Sequence, residues 1–145
     1  MIRRLCLGIV FVIIFAATAQ AEMVSINQPK VNMRSGPGEK YSIIWEVGNG
    51  FPLKVVGRKG NWLKVKDFEN DTGWVFKKLV SREAHLIVKK KSVNIRSGPG
   101  EKYRIVGKAN YGVVLKTIKK QKGWVQLRHE NGLTGWIARD LLWGW

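Results

Sequence analysis

Apolar and polar positions alternate with a period of two in short runs along most of the chain. Trp62-Leu63-Lys64-Val65-Lys66 alternates strictly, Leu53 and Val55 flank Lys54, and Val31 and Met33 sit among polar neighbours, as do Val93 and Ile95. Such runs predict strands with one face packed and the other in water. Turn-forming residues separate them: Gly57 to Asn61, Asn70-Asp71, and Asn131-Gly132, the last a strong hairpin signal. No window sustains a helical period. Many short strands at close spacing predict an all-β chain of compact, strongly bent barrels.

The pattern is written twice. VNMRSGPGEKY at 31–41 returns as VNIRSGPGEKY at 93–103, an offset of 62 that holds to the end without a gap. Trp62 falls on Trp124, Thr72-Gly73-Trp74 on Thr134-Gly135-Trp136, and Leu79 on Leu141; 19 of 49 positions agree over 31–79 against 93–141, which excludes chance. A repeat of this kind marks two structural units. The first is expected over 24–80, the second over 86–142, with 81–85 as a short linker and 143–145 as an aromatic tail. So short a linker places the units side by side with little freedom. One position resists the pattern: Thr117 stands where the first copy has Val55, so the inward parity is open there and a bulge would resolve it.

The N-terminus departs from all this. Met1-Ile2-Arg3-Arg4 is cationic, residues 5–19 carry no charge, and Ala19-Gln20-Ala21 is a small-x-small sequence. Together they predict a cleavable signal peptide over 1–21 rather than a permanent anchor, and hence an exported, periplasmic or cell-surface protein. The single cysteine, Cys6, lies inside it, so no disulfide and no cysteine metal site is expected in the mature chain. Without residues 1–21 the chain keeps 24 of its 26 basic residues and all 10 acidic ones, a net charge of +14. An exported protein this cationic is expected to lean on anionic envelope material: wall glycopeptide, polymer phosphates or lipid headgroups, and not nucleic acid.

The order V-N-[MI]-R-S-G-P-G, a central L-K, W-x-x-[VL], then T-G-W-[VI]-x-x-x-L, present in full in both halves, resembles the bacterial SH3 domain. The resemblance implies two tandem small SH3-like β-barrels and a binding role, commonly towards peptidoglycan or other envelope partners and often attached to a wall hydrolase. The chain ends at Trp145 without such a hydrolase, so targeting of an enzyme is expected to act in trans. The acidic-aromatic loop that eukaryotic relatives use for proline-rich helices is replaced by Arg34 to Lys40, so that specificity does not carry over.

Within the repeated stretch, Gly36-Pro37-Gly38 and Gly98-Pro99-Gly100 form a rigid elbow. Proline fixes φ, the glycine before it is pushed to extended geometry, and Gly38 and Gly100 are expected to supply positive φ for a sharp reversal. In one reading Arg34 and Arg96 bond the loop carbonyls while Tyr41 and Tyr103 pack beneath; in the other the tyrosines line a ligand groove.

Period-two geometry puts Trp62, Lys64 and Lys66 on one strand face and Leu63 with Val65 on the other; the second copy sets Trp124, Gln126 and Arg128 against Val125 and Leu127. The small aliphatics belong to the core. The indoles then share the outer face with cations, suited to stacking on a sugar or peptide while holding its carboxylate or phosphate; the alternative is that the elbow loop covers them. Trp74 and Trp136 are expected in the core or closing the barrels. Trp45 faces only Gly107 in the other copy, so any binding there would be unequal. Trp143 and Trp145 either cap the second barrel or offer a sticky end.

Residues 22–85 carry +4 and residues 86–145 carry +10, which makes the second unit the stronger expected polyanion binder. His85 and His129 do not repeat, and no nucleophile, phosphate loop or paired-histidine spacing is present. The expectation is therefore no enzyme, no cofactor and no metal. The main functional reading is envelope or peptidoglycan binding strengthened by two units on a repetitive polymer. The alternative is a periplasmic or cell-surface adaptor that holds a peptide segment of a partner protein, and a third is purely electrostatic attachment to membrane or lipopolysaccharide.

Overall fold

The structure, a computed structural model, describes residues 12–14 and 21–145. Apart from residues 12–14 and 21, the predicted signal peptide lies outside the described residues. No helix among those described is long and apolar enough to cross a membrane.

Strands β1 (Met23–Ile26), β2 (Val31–Arg34), β3 (Ile43–Val47), β4 (Pro52–Lys59), β5 (Trp62–Lys66), β6 (Thr72–Phe76) and β7 (Val80–Ser81) form one sheet in the order β3-β2-β6-β5-β4-β1-β7. Strands β8 (His85–Val88), β9 (Ser92–Arg96), β10 (Ile105–Asn110), β11 (Val114–Gln121), β12 (Trp124–Arg128), β13 (Thr134–Ala138) and β14 (Leu142–Gly144) repeat that order strand for strand. Every pairing is antiparallel, and β4, β5 and β6 map onto β11, β12 and β13 at the 62-residue offset. The all-β, twofold architecture read from the alternation is the one observed.

Each sheet curls around its own core. Val24, Ile26, Val31, Met33, Leu53, Leu63, Val65 and Val75 fill the first; Leu86, Val88, Val93, Ile95, Leu115, Val125, Leu127 and Ile137 fill the second. These are the inward members of the alternating runs, and each fully buried aliphatic contributes about 1.5–3 kcal/mol. Trp45 packs against the first core. Its counterpart Gly107 cannot, and the space is taken instead by Leu133, which stands opposite the exposed Asp71 of the first copy. A Cβ on Gly107 would lie 2.7 Å from Leu133 Cδ2. One large side chain fills this corner in each unit, carried by β3 in one and by the β12–β13 hairpin in the other.

A bulge resolves the parity question. The register shifts between Val55 and Gly57 and again between Thr117 and Lys119, leaving Val56 and Ile118 unpaired and exposed. Val55 packs on its core, while the Thr117 hydroxyl donates to the carbonyl of Trp145 at 2.6 Å. The aromatic tail is thus sheet structure: Leu142, Trp143 and Gly144 pair with Val88, Ile87 and Leu86.

The two sheets are docked on one another. Strand β8 is buried on both faces, with Leu86 and Val88 in the second core and His85 and Ile87 on the opposite side, where β8 runs beside β4. Gly50 approaches the His85 ring so closely that a Cβ there would stand 2.7 Å from its Cδ2. The buried Ser25 hydroxyl donates to the Glu83 carbonyl at 2.7 Å. Phe68 bridges the units, lying 6.2 Å from the ring of Phe51 and 5.2 Å from that of Tyr111.

Candidate ligand groove on the outer sheet face

Leu63 and Val65 are buried, Trp62 and Lys66 half-buried, and Lys64 exposed, as the alternation of β5 requires. Opposite residues of an antiparallel pair share a face, and β6 places Phe76 against Trp62, Trp74 against Lys64 and Thr72 against Lys66. The Trp62 and Phe76 rings meet at 5.5 Å with an interplanar angle of 50°. Beside them opens a cavity of about 170 Å³ lined by Lys30, Val31, Asn32, Arg34, Glu39, Trp62, Phe76 and Leu79. An aromatic floor with cations, a carboxylate and an amide at its rim can stack on a flat or ring-shaped group while bonding its polar edge.

Arg34 is held in place by the elbow. Its Nη1 donates to the carbonyls of Glu39 and Tyr41, each at 3.0 Å, and Arg96 makes the same pair of bonds to Glu101 and Tyr103. Tyr41 and Tyr103 are half-buried beneath the elbow, with Lys40 Nζ 5.4 Å and Lys102 Nζ 5.3 Å from the ring centroids. Neither tyrosine lines the groove. The glycines of the elbow have a different reason from the expected one. None of Gly36, Gly38, Gly98 and Gly100 has positive φ. A Cβ on Gly36 would instead stand 2.5 Å from Tyr41 Cε1, and one on Gly98 2.5 Å from Tyr103 Cδ1. The requirement is room for the tyrosine ring, not a left-handed backbone.

Other predicted residues are dispersed. Trp62 and Lys66 stand four residues apart, about 13 Å along an extended strand, so one compact ligand does not span both. In the second unit Trp124 faces Ala138 where Trp62 faces Phe76, and Gln126 faces Trp136. Arg128 lines a separate cleft together with His129. Trp74 and Trp136, expected in the core or closing the barrels, stand where strands pair to close each sheet, Trp74 opposite Arg34 and Trp136 opposite Arg96. They lie on the outer parity, where Trp136 is nevertheless only 6% exposed and has Lys119 Nζ 5.5 Å from its ring centroid. Phe76, Asn32 and Lys30 were missed as groove residues. Phe76 was within reach, since it stands two residues beyond Trp74 on the same outward parity.

Comparison with known proteins gives this geometry a family. Residues 27–82 and 89–144 each match the bacterial SH3 domain family. The chain is 29% identical over 133 residues to "Putative N-acetylmuramoyl-L-alanine amidase YrvJ" of Bacillus subtilis (strain 168), covering 84% of this chain and 25% of that protein. It is 36% identical over 44 residues to "Probable cell wall amidase LytH" of Staphylococcus aureus, covering 30% of this chain and 15% of that protein. Among solved structures it is similar to an NlpC/P60 family protein from Bacillus cereus ATCC 10987, at 14% identity and a TM-score of 0.40, covering 86% of this chain and 56% of that one. NlpC1 from Trichomonas vaginalis is similar at 13% identity and a TM-score of 0.40, covering 88% and 47%. The chain thus spans about a quarter or less of the two curated relatives. Their names correct the expectation of no enzyme: the curated relatives are named as amidases, which points to a relationship with peptidoglycan hydrolases. The missing nucleophile and histidine spacings spoke only for these 145 residues, which match no more than a quarter of either relative. With both halves matched across nearly their whole length, the chain belongs to the bacterial SH3 domain family.

Proposed function

We propose that this protein binds cell-wall peptidoglycan and acts at the envelope in the company of wall-amidase activity. The groove beside Trp62 carries the reading. It sets a half-buried indole and Phe76 against Arg34, Lys30 and Glu39, a combination suited to a glycopeptide that is part ring and part charged peptide. The names of the amidase relatives support the same partner class. On this reading Trp62 supplies stacking area, and Lys30 and Arg34 face carboxylates of the ligand. Trp124, with Ala138 in place of a second ring, is the weaker of the two shelves.

Co-sedimentation with purified sacculi across a salt series tests this. The chain is expected to pellet with sacculi at moderate salt. Trp62→Ala should remove most of the pelleting with an unchanged circular dichroism spectrum, and Trp124→Ala should remove less. Pelleting that vanishes with salt and ignores both tryptophans would mean simple charge attraction to the wall and would overturn the groove.

A further inference from the structure

We propose that the cleft between the two units is a second ligand site, built for a short peptide that carries a free carboxylate and an ammonium group. The cleft has a volume of about 490 Å³, enough for a few residues. Most of its lining belongs to the second unit, including Lys116, Arg128, His129 and Glu130, and Asn49 of the first unit and Glu83 of the connector complete it.

Its charges are arranged for a guest. Lys116 and Arg128 are directly opposite one another on β11 and β12, a like-charge pair that is unfavourable by itself. Glu83 matches only one of them. It forms an ion pair with Lys116, whose hydrogen bond holds the Glu83 carboxyl below the usual carboxylate range. No ion pair among the described residues engages Arg128, which is exposed. An unmatched guanidinium beside an ammonium is a seat for a carboxylate, which it can take in bidentate fashion. His129 adds a donor. Its Nδ1 accepts from the Asn131 N–H at 3.1 Å, so the neutral ring carries its proton on Nε2. Glu130, exposed and likewise outside every ion pair among the described residues, offers the seat for an amine.

The repeat supplies an independent argument. Where the second copy has His129 and Glu130, the first has Asp67, whose carboxylate accepts from the N–H groups of Glu69 and Asp71, and Phe68, which packs between aromatic rings. Asp67 and His129 each accept from the N–H two residues on, so the contrast lies at the next position, where Phe68 packs between rings and Glu130 faces the open cleft.

The test is a backbone amide shift titration of the full chain with the N-acetylated peptide Ala-Glu-Lys-Ala, whose one ammonium is the lysine's, at low salt. Saturable shifts are expected at residues 113–116 and 128–130. Arg128→Gln should weaken binding at least tenfold, while the free spectrum elsewhere stays unchanged. Glu130→Gln should weaken it only when the peptide keeps its lysine amine, and Trp62→Ala should leave it unaltered. That last variant separates this site from the groove, since it removes wall binding there and nothing here. Shifts confined to residues 30–39, 62 and 76, no saturable shift at all, or equal shifts with sodium sulfate would each overturn the proposal.

Discussion

Alanine at Gly36 or Gly98 is expected to destabilise its unit far more than alanine at Gly38 or Gly100, although all four belong to the same Gly-Pro-Gly elbow. A Cβ on Gly36 would stand 2.5 Å from Tyr41 Cε1 and 2.6 Å from its Cγ, where ordinary contact begins near 3.4 Å. The ring must retreat by about 1 Å, and it is not free to do so. The Tyr41 carbonyl accepts from Arg34 at 3.0 Å, and its N–H donates to the Gly38 carbonyl at 3.2 Å. Overpacking of this kind costs about 1–3 kcal/mol, which in a domain of this size lowers Tm by roughly 4–8 °C per kcal/mol. A Cβ on Gly38 meets Tyr41 Cδ2 at 3.5 Å, an ordinary contact, and φ there is not in the left-handed region. Gly38→Ala should therefore stay within about 0.5 kcal/mol of the parent, helped by reduced freedom of the unfolded chain. Thermal unfolding followed by circular dichroism reads the difference, and the double variant Gly36→Ala with Tyr41→Ala reads its cause. If the ring is the obstacle, the two substitutions are strongly non-additive. A Gly38→Ala variant as damaged as Gly36→Ala, or strict additivity with Tyr41→Ala, would refute the steric account.

Two further outcomes follow from the packing and the charges. Leu133→Ala should cost the second unit about 2 kcal/mol, because Leu133 fills the corner that Trp45 fills in the first, whereas Asp71→Ala at the matching exposed position should change little; urea unfolding of both variants makes the comparison. Glu22 and Glu83 are held below the usual carboxylate range, chiefly by hydrogen bonds from Arg58 and Lys116. A depressed carboxylate stabilises fully above its unfolded pKa, near 4.5, and loses that contribution as pH falls through the folded value. Both pairs are partly exposed and so are individually weak. The urea midpoint should fall below about pH 4.5, and the double variant Glu22→Gln with Glu83→Gln should flatten that acid limb; an unchanged acid slope would count against the two pairs.

The fold was legible because two signals agreed. Period-two alternation named the inward residues of β2, β5, β9 and β12, and the gapless offset carried each assignment from one copy to the other. The site was legible only in part. Alternation tells which face a residue takes but not which strand lies beside it, so it put Trp62 on the outer face without showing that Phe76 stands next to it. Nor does alternation tell which residues line one cavity: Trp62 lines the groove, whereas Arg128 lines another cleft. Trp74 and Trp136, expected in the core or closing the barrels, take the outer parity at the closing pairs with Arg34 and Arg96, and Trp136 is buried there all the same. The elbow glycines were misread for a related reason. Backbone freedom can be inferred from residue type, but the approach of Tyr41 to Gly36 is a tertiary contact.

The differences between the copies bear on how such a pair would hold a wall polymer. Identity is concentrated in the elbow, in Thr-Gly-Trp and in core positions such as Val31 with Val93 and Leu53 with Leu115, which shape the barrel. Most of the groove lining recurs as well, and only Lys30 against Ser92 and Phe76 against Ala138 differ there; the copies part chiefly around the cleft, with Lys66 against Arg128, Asp67 against His129, Phe68 against Glu130 and Met23 against His85. Two equal grooves on a flexible tether would gain retention by simple avidity. On the reading proposed here the contacts are unlike, one a stacking groove and the other a charged cleft at the junction, and the docking of Gly50 on His85 fixes their relative position. A rigid pair of unlike contacts selects for spacing and direction along the ligand, because only a strand presenting both chemistries at the right separation satisfies both.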